Sequence, residues 1–470
     1  MTMNVSDHHF VNLALQQDLA VFIAQSFGTV SPGLPYAPNW HIEAIAHALT
    51  RCYHRESRRL IITMPPRNLK SISASVAFPA WALGHDPTLR FTCVSYSHEL
   101  AAKHARDCRA VMESEWYKRA FPRTRISRSK SAELEYETTA RGSRYATSVG
   151  GTLTGRGGNF ILIDDPMKPA DAMSEVKRQA VKDWYDQTLS SRLDNKTTDV
   201  IVLIMQRLHV DDLVGHVLEK EAWEHLDLPA IAETVQEVPI DLGLTHIRRI
   251  GDLLHEAREP RSVLDQLKAT MGSATFSAQY QQAPVPAEGH LIRWEWFPTY
   301  RERPKPGPGS KIIQSWDTAA KTDDIHDYSV CTTWQVEGER YYLLDLYRAK
   351  LEFPDLQREV VARKNRYGAN AVVIEDKGSG TALIQALRGE GKCHPIRYLP
   401  TDDKIMRAYA HTAIMEAGQI YLPEFAPWLG DLRAELLAFP HGRHDDQVDS
   451  ITQFLAWQRR PRPRMAFGNA

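Results

Sequence analysis

The residues most able to do chemistry lie near the C-terminus, where acids sit at the ends of apolar runs. Ile312-Ile313-Gln314-Ser315-Trp316 reads as a strand that delivers Asp317, and Val372-Val373-Ile374 delivers Glu375, with Asp376 alongside. A final helix is expected to start at Asp445 and Asp446, after His444, with Asp449 one turn on. Carboxylates three or four residues apart share a helix face. Three separated segments therefore bring acid to element ends, which is costly unless cations neutralise it. Clustered hard oxygen donors suit Mg²⁺ or Mn²⁺. Two such ions can activate a water and stabilise the leaving 3′ oxygen of a phosphodiester. Solvated surface charge, or an N-cap role for Asp445, explains any one of these acids. It does not explain three in strand–strand–helix order. The expected metal ligands are Asp317, Glu375, Asp445 and Asp446, with Asp317, Glu375 and Asp446 catalytic; how the last helix divides ligation among Asp445, Asp446 and Asp449 stays open.

A second constellation lies in the N-terminal half. Met64-Pro65-Pro66-Arg67-Asn68-Leu69-Lys70-Ser71 falls between a strand and a helix, where a phosphate-binding loop belongs. Lys70 would reach the β/γ-phosphates and the Ser71 hydroxyl would ligate Mg²⁺, at a helix N-terminus that favours anions. Met64 and Leu69 occupy the places of both glycines in G-x-x-x-x-G-K-[ST]. Taken alone, the loop reads equally as a basic turn. Phe160-Ile161-Leu162-Ile163-Asp164-Asp165 raises the odds, because it has the form of a Walker B strand whose first Asp holds Mg²⁺. Asp165 then stands where many ATPases place a Glu that polarises the attacking water. Arg156, in the loop Gly150–Gly158, is a candidate arginine finger. Gln206 or Arg207, after another strand, is placed to sense the γ-phosphate.

The elements needed to position these residues are legible. Val11–Phe27 and a stretch from Trp40 have helical spacing, and Leu60-Ile61-Ile62 is a strand. A helix is expected over Lys70–Leu83, stopped by Gly84. Strands at Phe91–Ser95, Phe160–Ile163 and Val200–Met205, with a helix at His98–Met112, argue for a mostly parallel α/β sheet. Pro/Gly clusters near Ala283–Pro286 and Pro304–Gly309 mark a linker. The resulting division is 1–285, with an irregular region 228–285, then a linker 286–310 and a second domain 311–470 with a basic tail. In that domain a strand at Ile312–Asp317, a hairpin Tyr328–Gln335/Arg340–Tyr347, a helix at Phe353–Tyr367 and a strand at Ala371–Glu375 follow RNase H-like order. Helices near Ala382–Leu387, Lys404–Ala417 and Asp445–Trp457 close it.

Composition bounds the reading. At 470 residues, two domains are expected. No apolar run is long enough to span a bilayer and no secretory signal opens the chain. Five scattered cysteines suit a reducing compartment and contain no C-x-x-C pair, so a cytoplasmic location is expected. The net charge of −1 announces no nucleic acid globally, but Arg119–Lys130 and the tail from Arg459 are locally basic.

With both sites in view, the chain resembles the large terminase subunit of tailed bacteriophages, from about Trp40 to Trp457. The markers are Met64–Ser71, Gly155-Arg156-Gly157, Ile163-Asp164-Asp165-Pro166, Gln206–Asp212 and Phe276–Gln282. They continue with Trp316-Asp317, Ile374-Glu375-Asp376 and His444-Asp445-Asp446-Gln447-Val448-Asp449. The resemblance implies a P-loop (ASCE-type) ATPase domain followed by an RNase H-like nuclease domain. It implies ATP and Mg²⁺ as cofactors (Mg²⁺ or Mn²⁺ in the nuclease), and ATP-driven packaging of double-stranded DNA with cleavage of concatemers. Lys70 and Ser71 would bind nucleotide and Arg67 contact the γ-phosphate. Asp164 would hold the metal, Asp165 serve as catalytic acid, Arg156 act on a neighbouring subunit, and Gln206 couple hydrolysis to movement. Adenine contact would fall to Trp40 or His41, with helix packing as the favoured alternative reading of Trp40. Implied partners are a portal protein on a procapsid, a small terminase subunit and further copies in a ring. The competing expectation is an RNase H-like nuclease or transposase whose nucleotide-binding domain does not hydrolyse ATP.

Overall fold

The computed structural model describes residues 5–153, 155–241, 243–284, 291–318, 328–400, 404–440, 442 and 444–459. The chain forms two units, Met1–Lys268 with Ser273–Pro286, and Ala287–Ala470 with Ala269–Gly272. Unit 1 is organised by strands β1 (Arg59–Thr63), β2 (Arg90–Ser95), β3 (Ile126–Ser131), β4 (Glu135–Thr138), β5 (Ser143–Ser148), β6 (Phe160–Asp164), β7 (Val200–Met205) and β8 (Glu224–Asp227). Their order is β3-β4-β5-β2-β6-β7-β1-β8. The strands from β5 to β8 across the sheet pair in parallel, while β3 and β4 add an antiparallel edge. One strand, β7, separates β1 from β6, the ASCE arrangement.

The apolar runs of the central strands divide by period two, because successive side chains leave opposite faces. Leu60, Ile62, Phe160, Leu162, Val202 and Ile204 enter one core. Ile61, Ile161, Ile163, Ile201, Leu203 and Met205 enter the other. Both faces are dry, so the polar ends of these strands are where functional groups can emerge.

Helix boundaries differ from expectation in two places. Val11–Phe27 is not one helix: Asp18 interrupts it and N-caps Leu19–Val30, accepting from Ala20 N at 2.7 Å. Gly84 does not stop its helix, which continues to His85. A Cβ built on Gly84 would lie 2.6 Å from the Phe121 ring, so the glycine serves close packing instead. A hairpin of β9 (Gln236–Asp241) and β10 (Leu244–Arg248) occupies the region read as irregular.

Unit 2 contains β11 (Thr299–Tyr300), β12 (Lys311–Asp317), β13 (Ser329–Glu337), β14 (Arg340–Ala349), β15 (Ala371–Glu375), β16 (Ile396–Tyr398) and β17 (Ile420–Pro423). The sheet order is β11-β17-β14-β13-β12-β15-β16. β12, β13 and β14 are antiparallel, and β15 joins β12 in parallel, giving the RNase H-like core. Short strands β11, β16 and β17 and the helix Leu429–Ala438 were missed by periodicity, being too brief or too mixed in character. The stretch expected as linker is partly structural: Ile292 and Phe297 are buried in this unit's core, and Thr299–Tyr300 pairs with β17. Apolar side chains within reach of a core enter it, whatever prolines flank them.

All five cysteines are buried thiols. Among the described residues no helix is long and apolar enough to cross a membrane. The basic tail from Arg460 onward lies outside the described residues.

Gly84→Ala is expected to destabilise unit 1 despite alanine's better helix propensity. Helix propensity returns about 1 kcal/mol, whereas overpacking a dense core costs about 1–3 kcal/mol. Phe121 is boxed in by Phe22, Tyr117 and His85, so it has little room to yield. Urea unfolding should show a lower midpoint; an unchanged or higher one would mean that the ring moves freely.

Candidate functional site

β1 feeds the loop Met64–Ser71 onto a helix, and the loop's backbone resolves the problem of its missing glycines. Arg67 and Leu69 both adopt left-handed conformations, with φ of 65° and 63°. Such strain in a non-glycine residue costs about 1–3 kcal/mol each and persists only where surroundings impose it. Asn68, between them, is buried and donates to Pro66 O at 3.1 Å. The Arg67 side chain is exposed. Lys70 is buried, with Nζ 3.0 Å from Asp165 Oδ1.

The helix entry is a π-helical turn, Ile72–Ala77, a form frequent at functional sites. Ser71 Oγ donates to Asp164 Oδ1 at 3.1 Å, and Ser75 Oγ donates to Oδ2 at 2.7 Å. Ser75 was not singled out by sequence, since nothing in the P-loop pattern assigns a hydroxyl at that position. Burial raises the pKa of Asp164, with Ser75, Lys70 and Ser71 acting against it. Burial likewise raises Asp165, opposed first by Lys70. Asp165 has φ 45°, and its Oδ1 accepts from Gln206 N at 3.4 Å. Gln206 is buried with its Oε1 unpartnered among the described residues. Lys70, Ser71, Asp164, Asp165 and Gln206 thus converge on the ends of β1, β6 and β7.

Other candidates are engaged elsewhere. Arg207 Nε holds both oxygens of Asp212 at 3.1 and 3.0 Å, and its N–H donates to Gln282 Oε1 at 2.9 Å. Asp212 caps the helix Leu213–Lys220, so Arg207 braces structure. Arg156 pairs with Glu135 at 2.6 Å and lies over the Tyr145 ring at 4.1 Å. Trp40 stacks on His246 with centroids 4.2 Å apart. His41 is buried, and burial lowers its pKa to about 3.

In unit 2, β12, β15 and the helix Asp446–Gln458 place Asp317, Glu375 and Asp449 within electrostatic reach of one another. Burial pushes Asp317 well above the usual carboxylate range, reinforced by Asp449, then Glu375, then Asp446. Asp449 is raised to about 6 by burial. Arg407, from the helix Lys404–Glu416, is buried between them: Nη2 donates to Asp449 Oδ1 at 2.7 Å and Nη1 to Glu375 Oε2 at 3.4 Å. Asp445 is ion-paired to Lys404, and Asp446 lies 3.6 Å from Arg348. Asp449 thus raises Asp317 more than Asp446 does, and Asp445 is engaged by Lys404. Asp376 is also diverted, accepting from Arg397 Nε at 2.8 Å and Thr381 Oγ1 at 2.9 Å. The donor chemistry fits a hard divalent cation. Among the described residues, however, no three His, Cys, Asp or Glu side chains are drawn together at metal-holding spacing.

Several positioning residues were invisible to sequence reasoning. Ser450 Oγ donates to Ser315 O at 2.9 Å, and Gln453 Nε2 reaches Ser315 Oγ and Trp316 O at 3.0 and 3.1 Å. These bonds pin the last helix to β12 next to Asp317. Glu435 accepts from Gln447 N at 2.6 Å and Val448 N at 3.2 Å, capping that helix where Asp445 makes no side-chain cap. Behind Glu375, a Cβ on Gly380 would meet Glu375 O at 2.0 Å, so only glycine lets that helix approach. Buried polar residues on a helix could have flagged Gln447, Ser450 and Gln453; nothing local flags Arg407 or Glu435.

Residues 314–457 match the family model described as the terminase RNaseH-like domain. No curated protein matches the chain by sequence. The large terminase of a thermophilic bacteriophage, solved in complex with ADP, aligns with TM-score 0.50 and 11% identity, over 93% of this chain and 97% of that one. A second crystal form of that phage's large terminase gives TM-score 0.52 and 10% identity, over 90% and 99%. At that identity the likeness shows the fold: an ASCE-type P-loop α/β domain and an RNase H-like domain in one chain. The family match covers the second unit, and the whole-chain likeness shows a shared two-domain fold.

The pKa shifts give a signed expectation. Asp317 and Asp449 hold protons more tightly when folded than the ordinary 3.8. The stability this lends is full below that value and is lost, for Asp449, as pH rises through about 6. A divalent cation favours the ionised acids, so Mg²⁺ should raise the melting temperature more at pH 8 than at pH 5. Asp317→Asn should lose most of that difference. A pH-independent shift, or one retained by the variant, contradicts the carboxylate centre.

Proposed function

We propose that this chain is a large terminase subunit, a DNA-packaging motor and nuclease that translocates double-stranded DNA into a procapsid by ATP hydrolysis and cuts concatemers by phosphodiester hydrolysis. The observation that carries the reading is the combination, in one chain, of the Lys70–Asp165 and Ser71–Asp164 contacts with a terminase-type nuclease domain holding Asp317, Glu375 and Asp449. We place the ATPase part over about 1–285 and the nuclease after it.

In the ATPase domain, Lys70 and the loop N–H groups would take the phosphates of ATP. Ser71 and Asp164, with Ser75 holding Asp164 in orientation, would hold Mg²⁺. Asp165 would position and polarise the attacking water once Lys70 turns from it to phosphate. Gln206, bonded by its backbone to Asp165, would carry the change in that carboxylate to the rest of the motor. Arg67 is exposed and free to meet the γ-phosphate, and Arg156 would act on a neighbouring subunit by exchanging Glu135 for phosphate.

In the nuclease domain, Asp317, Glu375 and Asp449, with Asp446 nearby, would hold Mg²⁺ or Mn²⁺. A divalent ion there supplies an activated water and charge stabilisation for the leaving oxygen. The expected partners are double-stranded DNA, a portal protein, a small terminase subunit and further copies in a ring, in the host cytoplasm.

Lys70→Ala should abolish DNA-stimulated ATP hydrolysis while metal-dependent plasmid nicking continues. Asp317→Asn should do the reverse, with cleavage down by at least about a hundredfold, on the order of removing a principal charge-stabilising group. Measuring phosphate release and plasmid conversion on the same preparations tests both. Hydrolysis that survives Lys70→Ala, or nicking that survives Asp317→Asn, would overturn the corresponding assignment.

A further inference from the structure

Arg407 has no place in the activity described above, yet it is a buried cation set against two acids of the candidate nuclease centre. Its guanidinium is buried and spans two acids from different elements, Glu375 at the end of β15 and Asp449 on the last helix. Lys404, one turn earlier on the same helix, binds Asp445. Residues three apart share a face, so the helix Lys404–Glu416 presents two cations to the acidic centre. Among the described residues the Arg407 Nε makes no hydrogen bond, so the guanidinium is anchored through its two terminal nitrogens, both on carboxylates. One oxygen each of Glu375 and Asp449 is thus engaged by Arg407.

We propose that Arg407 is an internal counter-ion that competes with divalent metal for Glu375 and Asp449, so that loading the nuclease centre requires this guanidinium to let go. The proposal rests on the nuclease reading above. Removing one member of a buried charge pair leaves the other unpaired, at substantial cost. The acids therefore stay neutralised by arginine until a cation of higher charge replaces it. A centre latched in this way stays poor in metal until something shifts the helix Lys404–Glu416, which would restrain cutting during translocation.

The test is Mn²⁺ binding to the full chain, stripped of metal and free of nucleotide, by calorimetry at fixed ionic strength. Wild type, Asp317→Asn, Arg407→Gln and Arg407→Lys are compared, with circular dichroism checking that each is folded. If Arg407 occupies the acids about nine-tenths of the time, freeing them tightens apparent binding about tenfold. Arg407→Gln should therefore bind Mn²⁺ about tenfold more tightly than wild type. Arg407→Lys, which keeps the charge but not the two-pronged reach, should fall between and serves alone if the Gln variant does not fold. Equal or weaker binding in a folded Arg407 variant overturns the counter-ion role and leaves Arg407 a structural brace. Equal binding by wild type and Asp317→Asn instead overturns the metal-centre reading itself, so the two failures are distinguishable.

Discussion

Negative charge collected at the carboxyl ends of buried strands has to be balanced inside the protein, and both units are arranged around that requirement. Strands covered on both faces can expose functional groups only at their ends. In unit 1 the end of β6 presents Asp164 and Asp165 to the loop that follows β1, where the buried Lys70 answers one while Ser71 and Ser75 bond the other. In unit 2 the ends of β12 and β15 meet the last helix, and Arg407 answers two of its acids. Among the described residues Asp317 has no such partner, and burial beside other acids pushes it well above its ordinary range. Burying like charges together is tolerated where a cation is near at hand. The same balance that makes each fold possible makes each site responsive to a cation or to phosphate.

Precision comes from polar contacts laid over the apolar cores. The last helix buries Gln447, Ser450 and Gln453 against the sheet, an unusual choice where apolar residues would pack as well. Their bonds to Ser315, Trp316, Thr332 and Glu435 admit one register of the helix on β12. Apolar packing alone is less directional. A helix that must set Asp449 against Asp317 gains from the stricter geometry.

The phosphate loop shows a similar trade between local cost and functional geometry. Leu69 adopts the left-handed conformation a glycine would take there, and Arg67 does so two residues earlier. Strain of this kind is retained where the surrounding structure over-determines it. Here buried Asn68, and the hydrogen bond from Ser73 N to Leu69 O at 2.9 Å, hold the turn. The absent glycines therefore bear on the energy of the loop more than on its path.

The amino-acid sequence by itself determined the central strands and main helices of both units, and it marked the strand-end acids Asp317 and Glu375 and the Lys70–Ser71 and Asp164–Asp165 pairs. Strand ends announce themselves where an apolar run stops on a charge, and such signals are local. Helix Phe353–Tyr367 and strand Ala371–Glu375 were legible to the residue for the same reason. What only the tertiary structure decided is which groups face one another across long separations. Asp449, rather than Asp445, couples most strongly to Asp317, with Lys404 holding Asp445 and Ser315 holding Ser450, contacts that join residues 41 and 135 apart in sequence. Arg407 reads as an ordinary helical arginine until the helix that carries it is packed against two acids. Gly84 reads as a stop signal until Phe121 arrives beside it. Charge pairing and close packing are properties of distance in space, and a linear pattern records only distance along the chain.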